Sequence, residues 1–233
     1  HATLIEMGRS DARAYFNTIK PEGVPFEPYV TKMTELNPGI QFKETMAGGF
    51  SLNATEPEEG SNLGKQAGTE LAMHAQVDID DIDKFVAEGD HPASLIGTID
   101  FPPMGMGIEA NTGVFNLFYP TDDPKLKLMV YELGFEYQGE AYYLAGKKKV
   151  RDESVLELWP GTTTLYTQLH KGVDKSGEVV GAGILNLGVT DLLKLVSTVE
   201  VLHAESGTDK VTTIAKFGKF FMGELWDSYI KHA

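Results

Sequence analysis

Cysteine is absent from this chain of 233 residues, and that absence excludes a good deal. There is no disulfide framework, no thiolate nucleophile and no Cys-ligated zinc or iron–sulfur site. Positive charge is also scarce: 20 Lys and Arg stand against 34 Asp and Glu, for a formal net charge of −14. Phosphate backbones and anionic lipid surfaces are bound by cationic faces, so nucleic acid is not an expected partner. Long apolar runs are missing too. None approaches the roughly 18 residues of a spanning helix, so no transmembrane segment is expected. No signal peptide is visible, and the chain opens on His1 rather than Met. That leaves a tag remnant or a mature N-terminus after export. The expectation is a soluble protein, with the cytoplasm favoured and export open.

Most familiar catalytic motifs are lacking as well. There is no Gly-x-Ser-x-Gly elbow and no His-Glu-x-x-His metal helix. Gly105-Met106-Gly107 lacks the third glycine and the helix of a dinucleotide fingerprint. Gly60-Ser61-Asn62-Leu63-Gly64-Lys65 is one residue short of a phosphate loop, and Gln66 follows where a magnesium-binding hydroxyl belongs. The acidic run Asp78–Asp83 fails the EF-hand spacing at its fifth position, Ile82. Helix capping by Asp80 explains it better. No metal and no cofactor is therefore expected.

Hydropathy periodicity supplies the fold. Residues 1–39 read as a helical arm punctuated by Pro21, Pro25, Pro28 and Pro38, and residues 40–233 as one antiparallel β domain. Strands are predicted at Phe42–Leu52, with a kink or bulge at Gly48-Gly49, and at Leu71–Ile79. Others follow at Ser94–Phe101, Gly113–Tyr119, Lys125–Tyr137, Glu140–Arg151, Thr162–Lys171 and Glu178–Leu187. Asn53–Gly68 reads as a long polar loop. Gln138-Gly139 and Lys175-Ser176-Gly177 mark hairpin turns. About eight strands without intervening helices indicate antiparallel pairing. In Lys125–Tyr137 both faces are apolar: Met129, Tyr131, Leu133 and Phe135 on one, Leu126, Leu128 and Val130 on the other. That pattern suits a barrel or a sheet covered by helices. Thr190–Ser197 is a short helix and Thr198–His203 an edge strand. Thr208–Ile230 is an amphipathic C-terminal helix, with Val211, Ile214, Phe217, Phe221, Met222, Leu225 and Tyr229 on its apolar face and Phe220 among the charges. The fold class is mainly β with flanking α.

Candidate site residues follow from this layout. His74 and His170 sit on predicted strands, and Asp100, Glu132 or Tyr131 would serve as acid–base partners if the fold brings them together. The aromatic set includes Tyr131, Tyr142, Trp159 and Tyr166, which would line the wall of an apolar site. The alternative for these aromatics is an ordinary β core. Phe220 and Trp226 would mark a docking face if the last helix is left uncovered.

Several strings carry a resemblance. They are Phe42-Lys43-Glu44-Thr45-Met46-Ala47-Gly48, Tyr142–Asp152 (YYLAGKKKVRD), Leu158-Trp159, Thr162–Tyr166 (TTTLY), Gly181–Leu185, Asp191-Leu192 and Phe217–Phe221. Over residues 40–230 the chain resembles a domain of unassigned activity found in bacterial multidomain proteins that carry a GMC-type, cholesterol-oxidase-like flavoenzyme. The flavin fingerprint itself is absent here, and the strings are tied to no known chemistry, so no catalytic residue carries over. The resemblance implies an association with sterol or lipid metabolism.

Three functional readings result. The first is binding of a lipid- or sterol-like apolar small molecule at Tyr131, Tyr142, Trp159 and Tyr166, accessory to an oxidative enzyme. The second is a cofactor-independent enzyme using a His–carboxylate pair. The third is an interaction module docking through the C-terminal helix, as a homodimer or on a flavoenzyme partner.

Overall fold

A computed structural model describes residues 36–151, 163–188 and 197–230, with the side chains at 151, 222 and 224–230 left aside. Residues 1–35 of the N-terminal arm, Trp159 and the helix expected from Thr190 therefore lie outside the described residues, apart from Ser197. So do the side chains of Trp226 and Tyr229.

Among the described residues ten strands form one antiparallel sheet. They are β1 (Gly39–Ser51), β2 (Glu70–Ile79), β3 (Pro92–Phe101), β4 (Gly105–Ala110), β5 (Thr112–Pro120), β6 (Leu126–Tyr137), β7 (Glu140–Arg151), β8 (Thr164–Lys171), β9 (Glu178–Asn186) and β10 (Glu200–Leu202). Eight of them run in the order β1-β2-β3-β5-β6-β7-β8-β9, and β9 pairs back on β1 through Phe50↔Gly183 and Ala47↔Asn186. The sheet is thereby closed into a barrel, the stronger form of the expectation from doubly apolar strands. The remaining two, β4 and β10, add to β3 and β1 outside the cylinder.

Period-two alternation decides which side chains enter the barrel. On β2 the buried residues are Leu71, Met73, Ala75, Val77 and Ile79, and on β6 they are Met129, Tyr131, Leu133 and Phe135. Phe42, Phe115 and Tyr131 meet edge-on in the interior, with ring centroids 6.1 and 5.0 Å apart. A second aromatic contact, Phe50 on Phe101 at 5.2 Å, belongs to the same core.

Three helices accompany the sheet among the described residues. The first, α1 (Pro57–Ala67), occupies most of the stretch expected to be a loop. Its boundary signals are sound: Pro57 at the start, Glu58 and Glu59 in the first turn, and Gly68 in the left-handed region (φ 67°) at its end. What hid it is its inner face, which buries Gly60, Ser61 and Gly64 instead of large apolar residues. A Cβ at Gly60 would lie 2.0 Å from the Ala182 carbonyl oxygen, so this helix seats its backbone directly on β9. The phosphate-loop-like glycines are thus packing glycines. Close approach also explains Gly48, where a Cβ would lie 2.1 Å from the Ile184 carbonyl oxygen. The expected bulge does not occur, since Ala47, Gly48 and Gly49 pair in unbroken register with Ala72, Leu71 and Glu70.

The second helix, α2 (Ile82–Ala87), is capped by Asp81 and not by Asp80. Asp81 Oδ1 accepts from the backbone N–H of Asp83 at 2.9 Å and of Lys84 at 3.0 Å. The third, α3 (Gly207–Ile230), packs Phe217 and Phe221 of its expected apolar face against the core, and Phe220 with them. Phe220 packs at 5.7 Å on Phe85, 4.7 Å on His91 and 6.1 Å on Phe118, whereas Val211 and Ile214 are exposed. Lys216 pairs with Asp83 of α2. No helix among the described residues is long and apolar enough to cross a membrane.

Candidate functional site

Two clusters of polar side chains lie on opposite sides of the barrel wall, and consecutive residues of β1 belong to them. Glu44 points inward and Thr45 outward, as alternation along a strand requires.

The inner cluster is Glu44, Lys148 and Tyr131. Glu44 comes from β1 and Lys148 from β7, strands separated around the wall by β8 and β9. Lys148 Nζ lies 3.6 Å from Glu44 Oε2, with the side chains only 2% and 1% exposed. It donates to the Tyr131 hydroxyl at 3.1 Å and stands 4.6 Å from the centre of that ring. Glu44 Oε1 is the one buried side-chain oxygen or nitrogen among the described residues with no hydrogen-bond partner. Removing such groups from water costs several kcal/mol per ion, and the Coulomb attraction offsets this only when hydrogen bonds complete the arrangement. Here they are incomplete. Burial pushes the Lys148 ammonium toward neutrality, while the Glu44 charge opposes it. Burial, and then the same negative charge, holds the Tyr131 hydroxyl well above the ordinary phenol value, so it stays protonated.

The outer cluster is Thr45, His74 and Asp100, on β1, β2 and β3. His74 pairs with Thr45 on one side and Thr98 on the other, which sets Asp100 diagonally within reach. Its Nε2 lies 3.1 Å from Asp100 Oδ2 and its Nδ1 3.0 Å from Thr45 Oγ1. A carboxylate can only accept, so Nε2 carries the hydrogen and Nδ1 accepts from the threonine hydroxyl. The backbone N–H of Gly107, at the β3–β4 hairpin, donates to Asp100 Oδ1 at 2.6 Å. That bond, followed by the one from His74, holds the Asp100 carboxyl below its usual range. His74 and Thr45 border an open groove of about 420 Å³. Lys43, Gln76, Thr98 and Glu109 supply its polar walls and Ile96 an apolar one.

The remaining sequence candidates separate. Glu132 accepts from the Tyr143 hydroxyl at 2.6 Å and pairs with Lys175 at 2.7 Å, with no histidine in the arrangement. His170 binds the Gly177 carbonyl oxygen through Nδ1 at 3.0 Å and braces the β8–β9 turn. Tyr131 and Tyr142 face inward, Tyr142 stacked on Phe135 at 5.7 Å. Tyr166 faces outward beneath Lys149, whose Nζ is 4.9 Å from its ring centre. Of the aromatic candidates, Tyr131 and Tyr142 thus lie inside the wall and Tyr166 outside it, and Trp159 is outside the described residues. Glu44 and Lys148 were missed, although a signal existed. Both sit on the inward parity of their strands, between Phe42 and Met46 and between Leu144 and Val150. A charge at such a position is the informative exception to burial rules. No group of His, Asp and Glu able to hold a metal occurs among the described residues. Comparison with protein-family models, curated proteins and solved structures finds no match to this chain.

Proposed function

We propose that the barrel binds an apolar small molecule of lipid or sterol type, whose polar end engages Glu44, Lys148 and Tyr131. The observation that carries this reading is Glu44 Oε1, a buried carboxylate oxygen left without a donor. Buried polar atoms are satisfied in the great majority of proteins, and an exception calls for water, an ion or a ligand group. A hydroxyl on an otherwise apolar molecule suits the position. It would donate to Oε1, while Phe42, Phe115 and Tyr131 supply aromatic wall around it. Eight-stranded barrels have room for packed side chains or for one small ligand. Service to an oxidative, sterol-metabolising enzyme agrees with the resemblance noted above.

Native mass spectrometry of the purified protein, followed by solvent extraction, tests this. A near-stoichiometric apolar molecule is expected, with lower occupancy in Glu44→Gln. A protein that carries none, and takes up neither fatty acids nor sterols after delipidation, overturns it.

A second reading has its own support in the His74–Asp100 distance of 3.1 Å beside the outer groove. The ionised Asp100 would hold the imidazole and stabilise its charged form, while Nδ1 takes the Thr45 proton. Cofactor-independent acid–base or acyl-transfer chemistry on a small substrate follows. Screening activated esters against the wild type and His74→Asn decides it: turnover lost in the variant supports the reading, and equal turnover rejects it.

A further inference from the structure

We propose that Lys148 is a carbonyl-capturing nucleophile, forming a reversible imine with an apolar aldehyde or ketone inside the barrel. This rests on the barrel-binding reading and narrows its ligand class to carbonyl compounds.

The geometry assembles the required parts. An amine attacks a carbonyl only when unprotonated, and Lys148 Nζ is buried with one close hydrogen-bond partner, the Tyr131 hydroxyl at 3.1 Å. Glu44 Oε2, at 3.6 Å, is too far from Nζ to hold the ammonium in a tight hydrogen bond. Burial moves the Lys148 ammonium toward the neutral amine, against the opposing pull of the Glu44 charge. Tyr131 stays protonated and is placed to donate toward the carbonyl oxygen.

The step balances without an external reagent. The Nζ lone pair adds to the carbonyl carbon, and the oxygen becomes a hydroxyl by taking a proton relayed from nitrogen. Nitrogen then expels that hydroxyl, which leaves as water by taking the last N–H proton, relayed through the Glu44 carboxylate. The sum is R₂C=O + H₂N–Lys → R₂C=N–Lys + H₂O. Glu44 Oε1, with no partner of its own, is free to receive the departing water.

The exposed lysines of the chain are a built-in control. An ordinary lysine is almost fully protonated near neutral pH, whereas burial moves Lys148 toward the neutral amine. The whole protein would be incubated with decanal or 2-undecanone and cyanoborohydride near neutral pH, then weighed intact and mapped by peptide sequencing. The expected result is one dominant adduct on Lys148, absent from Lys148→Met. Tyr131→Phe, which keeps the ring, should trap more slowly and covers the case in which Lys148→Met does not fold. Adducts scattered over surface lysines, with Lys148 unmodified in the wild type, overturn the proposal. In parallel, native mass spectrometry without reductant reports non-covalent uptake of 2-undecanone. Uptake without trapping ends the imine proposal and leaves barrel binding standing; no uptake of this probe or of any lipid ends both.

Discussion

Residues 44 and 45 differ by one position and by an entire dielectric environment. Glu44 meets Lys148 inside the barrel, both nearly inaccessible, while Thr45 meets His74 and Asp100 on the wet side, where the two side chains are 41% and 27% exposed. Inside, water is gone and every missing hydrogen bond is felt in full. Outside, water completes whatever the protein leaves undone, so the same kinds of charge bind each other weakly. An ion pair's distance therefore says little until the side of the wall is known.

The comparison is broken most severely by removing one inner partner. Lys148→Ala or Glu44→Ala should each destabilise the fold by about 3–5 kcal/mol, because the other charge is left buried and unpaired. The double replacement Glu44→Leu/Lys148→Met should recover most of that loss, since well-packed apolar residues replace buried pairs at little cost. Denaturant titration of the four proteins measures it, and additive losses would show that the pair is not a coupled unit.

Next in size is the contact between α1 and the barrel. Gly60→Ala places a methyl 2.0 Å from the Ala182 carbonyl oxygen, where backbone must shift. A loss of about 1–3 kcal/mol is expected, as for overpacked cores. Thermal melting checks this, and an unchanged midpoint would mean that α1 moves freely away from β9.

Asp81→Ala is smaller, about 1 kcal/mol, the usual value of an N-cap. The cap also sets a pH dependence. The Asn37 side-chain amide, followed by the Lys84 backbone N–H, holds the Asp81 carboxyl below its ordinary value. A carboxyl depressed on folding contributes stability above its unfolded value near ~4, and loses it as pH falls through the folded value. Wild type and Asp81→Ala should therefore converge in stability in acid, which paired titrations would reveal.

The smallest effect is outside the wall. Asp100→Asn should change stability by under about 1 kcal/mol, because exposed pairs contribute little. A large loss on denaturant titration would show that the outer face is drier than its exposure indicates, and would narrow the contrast between the two clusters.

Much of this architecture was legible from residue pattern, where a local rule and the tertiary environment agree. The strand Glu140–Arg151 falls where alternation put it, and Gln138-Gly139 forms the turn that leads into it. His74 and Asp100 were legible as candidates, but their contact depends on the register His74↔Thr98, which no local signal encodes. The failures share a cause. Helix α1 packs through glycines, so hydropathy has nothing to register. Phe220 looked solvent-facing because its partners Phe85, His91 and Phe118 come from other elements, which no local pattern of α3 encodes. Glycine breaks in β3–β4 hid the six-residue β4, where Gly105 and Gly107 both take positive φ. The inner pair was overlooked because charge was equated with surface, although the parity of positions 44 and 148 placed both inside.

The β1–β9 seam has a consequence for the birth of the molecule. Ala47 must wait for Asn186 before the cylinder can close. At ribosomal speeds of ~5–20 residues per second that interval is roughly ten seconds. Throughout it, one margin of β1 presents unpaired peptide groups. Such a margin is a template for wrong partners during synthesis. Helix α1, made immediately after β1 and packed against it through Gly49 and Gly64, is already on hand to shield that strand before its final neighbour emerges.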